Sequence, residues 1–285
     1  MNMARPLTLG LVQLTSSLDV THNVAITSDL VRKAASDGAQ LILTPEMTSC
    51  LDRDRDRALE TACLEQDDPA LPQFQALAHD LGITLLIGSL PIRLPLEETE
   101  GDAPKLANRS FLIGPDGAIM ARYDKIHLFD VSLGNGEGYC ESASYQSGDR
   151  AIVADMGAAR LGLSICYDVR FAALYRALAQ EGAEILTVPA AFTRTTGKAH
   201  WHVLLRARAI ETGSFVAAPA QSGRHEDGRE TFGHSLLISP WGEILMDGAT
   251  DVGVSVARID LDDVAKARLK IPALRHDKAI SIKHS

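Results

Sequence analysis

Residues 38–47 read GAQLILTPEM, and residues 182–191 read GAEILTVPAA. A second pair of words, SFLIGPDGAIM at 110–120 and SLLISPWGEIL at 235–245, recurs in the same order in each half of the chain. In the first pair a glycine precedes a short leucine and isoleucine run of strand length, and in the second two apolar runs flank turn residues, which reads as a hairpin. Working outward, 7–14 reads as a strand, 23–36 as a helix ended by Gly38, 40–43 as a strand, 71–79 as a helix and 83–89 as a strand. The stretch 93–105, with Pro95, Pro104 and an acidic cluster, reads as a surface loop before the hairpin at 110–120. The second half repeats the order: strand 161–166, helix 172–180, strand 184–188, helix 200–211, strand 214–218, then a hairpin. This rhythm predicts an α/β fold of β-α-β units feeding largely parallel sheets. Two such halves, each with a sheet too apolar to leave open, bury those sheets against one another in a four-layer αββα sandwich. No flexible linker separates them, so residues 5–272 are expected to form one domain, with 273–285 as a C-terminal tail.

Composition narrows the function. The 285 residues are 46% hydrophobic and 23% charged with a formal net charge of −9, so no positive field favours nucleic acid or an anionic membrane surface. The alternating charges of 52–57 and the acidic stretch 97–102 read as solvated surface. Four cysteines without CxxC spacing, Cys50, Cys63, Cys140 and Cys166, point to a reducing compartment. The first residues lack the apolar core and cleavage site of a secretion signal, and no apolar run approaches the roughly 20 residues a membrane span needs. A cytoplasmic protein is expected. With no GxGxxG, GxxxxGK[ST] or HExxH, and His200 and His202 two apart, neither a cofactor nor a metal is expected.

Reactive groups in such sheets gather beyond the carboxyl ends of strands. Glu46 follows the strand at 40–43 through Thr44 and Pro45, and Cys166 ends the strand at 161–165 in a strand-to-helix turn, SICYDVRF. They come from opposite halves, and facing sheets would bring them together. A thiol with a pKa of about 8.5 needs a base to attack an amide, and Glu46 can be that base. Lys125, in YDKIHLFDV, has apolar neighbours and therefore requires an anionic partner such as Glu46 or an oxyanion. Glu141, in CESASY, is a secondary candidate, and spacing alone leaves a Cys-His pair with His127, His200, His202, His225 or His234 open.

Taken together, TPEM at Glu46, YDKIHLFDV at Lys125, CES at Glu141 and SICYDVRF at Cys166 resemble the ordered motifs of the nitrilase, or carbon-nitrogen hydrolase, superfamily. The resemblance implies an αββα fold, commonly dimeric or in larger homo-oligomers, and a small-molecule amide substrate. It also implies Cys166 as nucleophile, Glu46 as base, Lys125 as transition-state stabiliser and Glu141 in support. The Tyr167 backbone N–H would join Lys125 at the oxyanion. The runs AHWHVLLRARAIE and QSGRHEDGRETFGHS look most like deaminated glutathione amidases, then omega-amidases, although His202 stands where the HWE form carries glutamate. A nitrilase, an acyltransferase and a non-catalytic binding protein are the alternatives. Arg170, Arg194 and Thr195, just past second-half strand ends, are candidates for holding substrate carboxylates.

Overall fold

The computed structural model describes residues 4–101, 103–134 and 137–283. The first half runs β1 (Pro6–Gln13), α1 (Val20–Ser36), β2 (Leu41–Leu43), α2 (Arg55–Thr61), α3 (Leu71–Leu81), β3 (Thr84–Arg93), β4 (Leu106–Ile113) and β5 (Ile119–Asp124). A hairpin of β6 (Asp130–Gly134) and β7 (Glu137–Cys140) follows, then β8 (Val153–Asp155). The second half contains β9 (Arg160–Gly162), α4 (Ala172–Gln180), β10 (Ile185–Thr187), α5 (Arg194–Thr212) and β11 (Phe215–Ala218). It closes with β12 (Ser222–Arg224), β13 (Glu230–Phe232), β14 (Leu236–Ile238), β15 (Ile244–Asp247), β16 (Gly253–Asp260) and α6 (Asp262–Lys270).

Two six-stranded sheets form, in the orders β16-β1-β2-β3-β4-β5 and β8-β9-β10-β11-β14-β15. Place by place they match: three parallel strands, one antiparallel neighbour on one side and two antiparallel pairings on the other. The sheets are thus mixed rather than largely parallel. The reason lies in the SFLIGPDG and SLLISPWG words, whose turns fold each chain end straight back on its neighbour without a crossover helix. β16 was not legible in the repeats. It comes from residues 253–260, after the second hairpin, yet pairs along the whole of β1, so the first sheet is completed by the far end of the chain.

Side-chain alternation decides the layers. Leu9, Leu11, Leu41, Leu43 and Leu86 enter one buried cluster with Leu161, Ile185 and Phe215 of the other sheet. Their neighbours Ile42, Leu85 and Ile87 turn the other way, to Val31 of α1 and Phe74 of α3. A fully buried leucine contributes roughly 1.5–3 kcal/mol, so each strand is fixed in register by both faces. This is the α/β sandwich. No helix among the described residues is long and apolar enough to cross a membrane.

The loop that carries Glu46 is held by a close backbone approach. β3 is irregular between Ile87 and Leu90, and there the Ser89 hydroxyl and carbonyl accept the amides of Met47 and Thr48, each at 2.9 Å. A Cβ on Gly88 would lie 2.1 Å from the Thr44 carbonyl oxygen and 2.4 Å from that of Pro45. Gly88→Ala is therefore expected to destabilise the fold by about 1–3 kcal/mol, read from denaturant unfolding. An unchanged midpoint would mean that the loop yields freely.

Candidate active site

Four chain segments meet at the end of the sandwich. Glu46 leaves β2, Lys125 follows β5, Glu141 opens a short 3-10 turn after β7, and Cys166 opens another, Cys166–Arg170, just after β9. Lys125 is 2% exposed, and its Nζ donates to Glu46 Oε1 at 2.9 Å and to Glu141 Oε2 at 2.8 Å. Asn108 of β4 donates its Nδ2 to the same two carboxylates, at 2.9 and 3.0 Å. The other Glu46 oxygen, Oε2, accepts the Ala191 amide at 2.7 Å. Because GAQLILTPEM and GAEILTVPAA occupy equivalent places, the two matching loops touch each other here.

Cys166 is buried, and its thiol lies close enough to the Glu46 carboxylate that each shifts the ionisation of the other. Its backbone takes a left-handed φ of 47°, and so does Met47 beside Glu46, at 57°. Such conformations cost on the order of 1–3 kcal/mol in residues other than glycine and persist only where the surroundings impose them. The Cys166 amide donates to the Pro189 carbonyl at 2.9 Å, fixing the turn. Asp168, fully buried, does more: it accepts the Ile165 amide at 2.8 Å, the Tyr123 hydroxyl at 2.7 Å and the His127 amide at 3.0 Å. His127 Nδ1 lies 2.7 Å from it, and the ring stacks on Phe171. One carboxylate thus locks the cysteine turn to residues 123–127 around Lys125. His127 is engaged in that link.

Electrostatics follow from these contacts. Burial raises the Glu46 carboxyl, but Lys125 and the other hydrogen bonds outweigh it and hold it below the ordinary glutamate value. Burial opposes charge on Lys125, yet Glu141 and Glu46 keep its ammonium well above the ordinary lysine value. Burial, and then the Glu46 carboxylate, push the Cys166 thiol well above the ordinary cysteine value. The resting arrangement is a protonated thiol beside an ionised carboxylate and an ammonium.

These groups open onto a cavity of about 170 Å³ that is also lined by Tyr167, Tyr139, Phe192 and Thr193. Tyr167, expected at the oxyanion, lines it, whereas Arg170, Arg194 and Thr195, expected to hold substrate carboxylates, do not. Thr193 caps α5 by accepting the Thr196 amide, so the helix begins at Arg194 and not near 200 as expected. Arg194 and Thr195 therefore sit on its exposed first turn, Arg194 paired with Glu230 at 3.0 Å. Arg170 packs its guanidinium over Phe192 and Tyr167 and lies 3.4 Å from His200 Nδ1. The run 52–57, expected as plain surface, contributes cavity wall: Asp54 caps α2, and Arg53 and Arg55 face the opening. Arg229 joins them from the β12–β13 turn.

Sequence reasoning also missed Asn108 and Asp168. A lone asparagine inside the apolar strand LANRSFLI was the available signal for the first; nothing local marks the second. His202, passed over on its spacing from His200, meets His234 and Asp247, with ring nitrogens 3.1 and 2.8 Å from the carboxylate. These contacts tie α5 to β15.

The carbon-nitrogen hydrolase family model matches residues 8–269. A deaminated glutathione amidase from Synechocystis sp. is 39% identical over 275 residues, covering 95% of this chain and 98% of the relative. A human omega-amidase is 34% identical over 272 residues, covering 95% of each. Among solved structures, the C. elegans NitFhit protein superposes with a TM-score of 0.88 at 32% identity, covering 98% of this chain and 66% of that longer one. Matched over nearly its whole length, this chain belongs to the carbon-nitrogen hydrolase family.

Proposed function

We propose that this protein is a thiol amidohydrolase that cleaves deaminated glutathione through a Cys166 thioester. The observation that carries the reading is the contact of Glu46 with both the Cys166 thiol and the Lys125 ammonium at the floor of one cavity. Glu46 takes the thiol proton as sulfur attacks the amide carbon, and Lys125 with the Tyr167 backbone N–H stabilises the oxyanion. The tetrahedral intermediate collapses, and the amine leaves with the proton held by Glu46. Glu46 then deprotonates a water that attacks the thioester, and the carboxylic acid departs as the thiol is re-formed. Glu141 keeps Lys125 charged and aimed. The substrate follows the names of the amidase relatives, and the 34% identical omega-amidase supports 2-oxoglutaramate or 2-oxosuccinamate as the second reading.

Residues 5–272 form one unit in this proposal, supported by the pairing of β16 with β1. Four free cysteines support a cytoplasmic setting. A homodimer or higher homo-oligomer is supported by exposed Val203 and Ile210, seven apart on α5, with Ile210 against Gly242 in the turn that leads from exposed Trp241 to exposed Ile244 and Leu245 of the edge strand β15. Ile210→Asp is expected to lower the oligomer mass seen by light scattering. An unchanged mass would move the contact elsewhere.

Mass spectrometric turnover of deaminated glutathione beside 2-oxoglutaramate tests the activity. Cys166→Ala should abolish turnover and the acyl adduct, and Lys125→Ala should lower kcat on the order of 10²- to 10³-fold. Near-normal rates in either would remove that residue from the mechanism.

The ionisation pattern predicts the pH profile. Glu46 is lowered, so its base form is lost only as pH falls below the ordinary carboxylate range; Lys125 is raised, so its charge is lost only above the ordinary lysine range. kcat/KM should therefore be flat between about pH 5 and about pH 10. A limb near pH ~6.5 would transfer the base role to a histidine.

A further inference from the structure

Two guanidinium groups converge on one ring at the mouth of the active-site cavity. Arg229 Cζ lies 5.5 Å from the Tyr139 ring centroid, and Arg53 Cζ lies 6.0 Å from the same centroid. All three residues line the cavity that holds Cys166 and Lys125. Arg229 is mostly buried, with its side chain 17% exposed, and its Nε has no hydrogen-bond partner. Arg229 Nε forms an ion pair with the buried Asp227 at 3.8 Å from Oδ2, beyond hydrogen-bond distance, while Asp227 Oδ1 accepts the Arg229 amide at 2.8 Å. Asp227 therefore orients this arginine through the buried Nε side, and no hydrogen bond among the described residues takes its terminal guanidinium nitrogens. Among the described residues neither Arg53 nor Arg55 makes an ion pair, because Asp52 is taken by Arg57 at 2.5 and 2.7 Å.

The arginine is also presented rigidly. Its turn is closed by the His225 amide donating to the Arg229 carbonyl at 2.8 Å. His225 itself is buried, with its ring nitrogens 2.9 Å from the Ser16 carbonyl and 2.7 Å from the Thr231 hydroxyl. Guanidinium donors left open in a cleft match a carboxylate, which they bind bidentately. The cavity floor repels the same ligand, since Glu46 and Glu141 put two negative charges against the single positive charge of Lys125. An anionic substrate is thus drawn to the mouth and kept off the floor, which leaves its neutral amide facing Cys166.

We propose that Arg229, with Arg53 across the Tyr139 ring, forms the subsite that binds a substrate carboxylate remote from the scissile amide. This rests on the amidase reading above and assigns the recognition to residues different from Arg170, Arg194 and Thr195. In deaminated glutathione the carboxylate could belong to the 2-oxo acid portion or to the terminal glycine, whereas 2-oxoglutaramate has only the first.

Steady-state turnover of both substrates by wild type, Arg229→Gln and Arg229→Lys tests it, with Arg53→Gln as a second site. Losing a charge-assisted hydrogen bond should raise KM by about 10- to 100-fold in Arg229→Gln, with kcat within about threefold, and Arg229→Lys should restore part of the loss. A rise for both substrates places the 2-oxo acid carboxylate in the subsite; a rise for deaminated glutathione alone places the glycine carboxylate there. Unchanged KM for both, or an equal loss of kcat with KM intact, overturns the proposal. Calorimetric binding of glutarate reads the subsite without chemistry: about tenfold weaker binding to Arg229→Gln supports it even should wild type hydrolyse neither amide, and equal binding sinks it.

Discussion

The buried ammonium of Lys125 between the carboxylates of Glu46 and Glu141 is the constraint on which the site depends. Each of these charges would be costly alone in a dry interior, and the trio persists because every one is paired and hydrogen-bonded. Asn108 adds a donor to each carboxylate and the Ala191 amide adds another to Glu46, so the two acids that share one cation are both further hydrogen-bonded. The arrangement draws on residues 46, 108, 125, 141 and 191, which forces five distant segments into one place. Deleting the cation alone would leave two buried carboxylates facing one another, a defect of about 3–5 kcal/mol by analogy with broken buried pairs. Chemistry and folding therefore share this contact.

Duplication explains where the contact lies. The sheets match strand for strand, and the loops after β2 and β10 are equivalent by sequence and by place. Glu46 stands where the second copy carries Ala190, so only one loop bears the acid. The other supplies backbone: the Ala191 amide to Glu46 and the Pro189 carbonyl to Cys166. One half brings the two carboxylates and the ammonium, and the other brings the Cys166 thiol. Gln221 stitches the seam, donating its amide to the Glu46 carbonyl at 3.0 Å and to Ser16 Oγ at 2.7 Å.

Period and repetition made the layers readable, because alternating leucines in β1, β2 and β3 must face two different cores. Helix ends were readable where capping was local: the helix at 172–180 falls where the pattern places it, whereas α5 starts six residues before expectation because Thr193 serves as its cap. That shift puts Arg194 and Thr195 on the exposed first turn of α5. The catalytic candidates stood out because strand ends collect reactive groups and because their motifs are distinctive. Asp168, Asn108, Arg229 and β16 did not, since each acts on a partner far away in the chain. A local pattern carries no record of such pairings.

Backbone strain shows why so much of the structure serves this one corner. Cys166 and, next to Glu46, Met47 both hold left-handed backbone that their side chains disfavour, one on each side of the contact between the two halves. Neither could persist on a free loop. Asp168 and the Pro189 carbonyl impose the first, and Ser89 with the close pass at Gly88 imposes the second. The Cys166 thiol and the Glu46 carboxylate are therefore set against each other before any substrate arrives, and binding does not have to supply the energy to align them. Binding energy gained at the cavity mouth then remains for the transition state, which is where an amidase needs it.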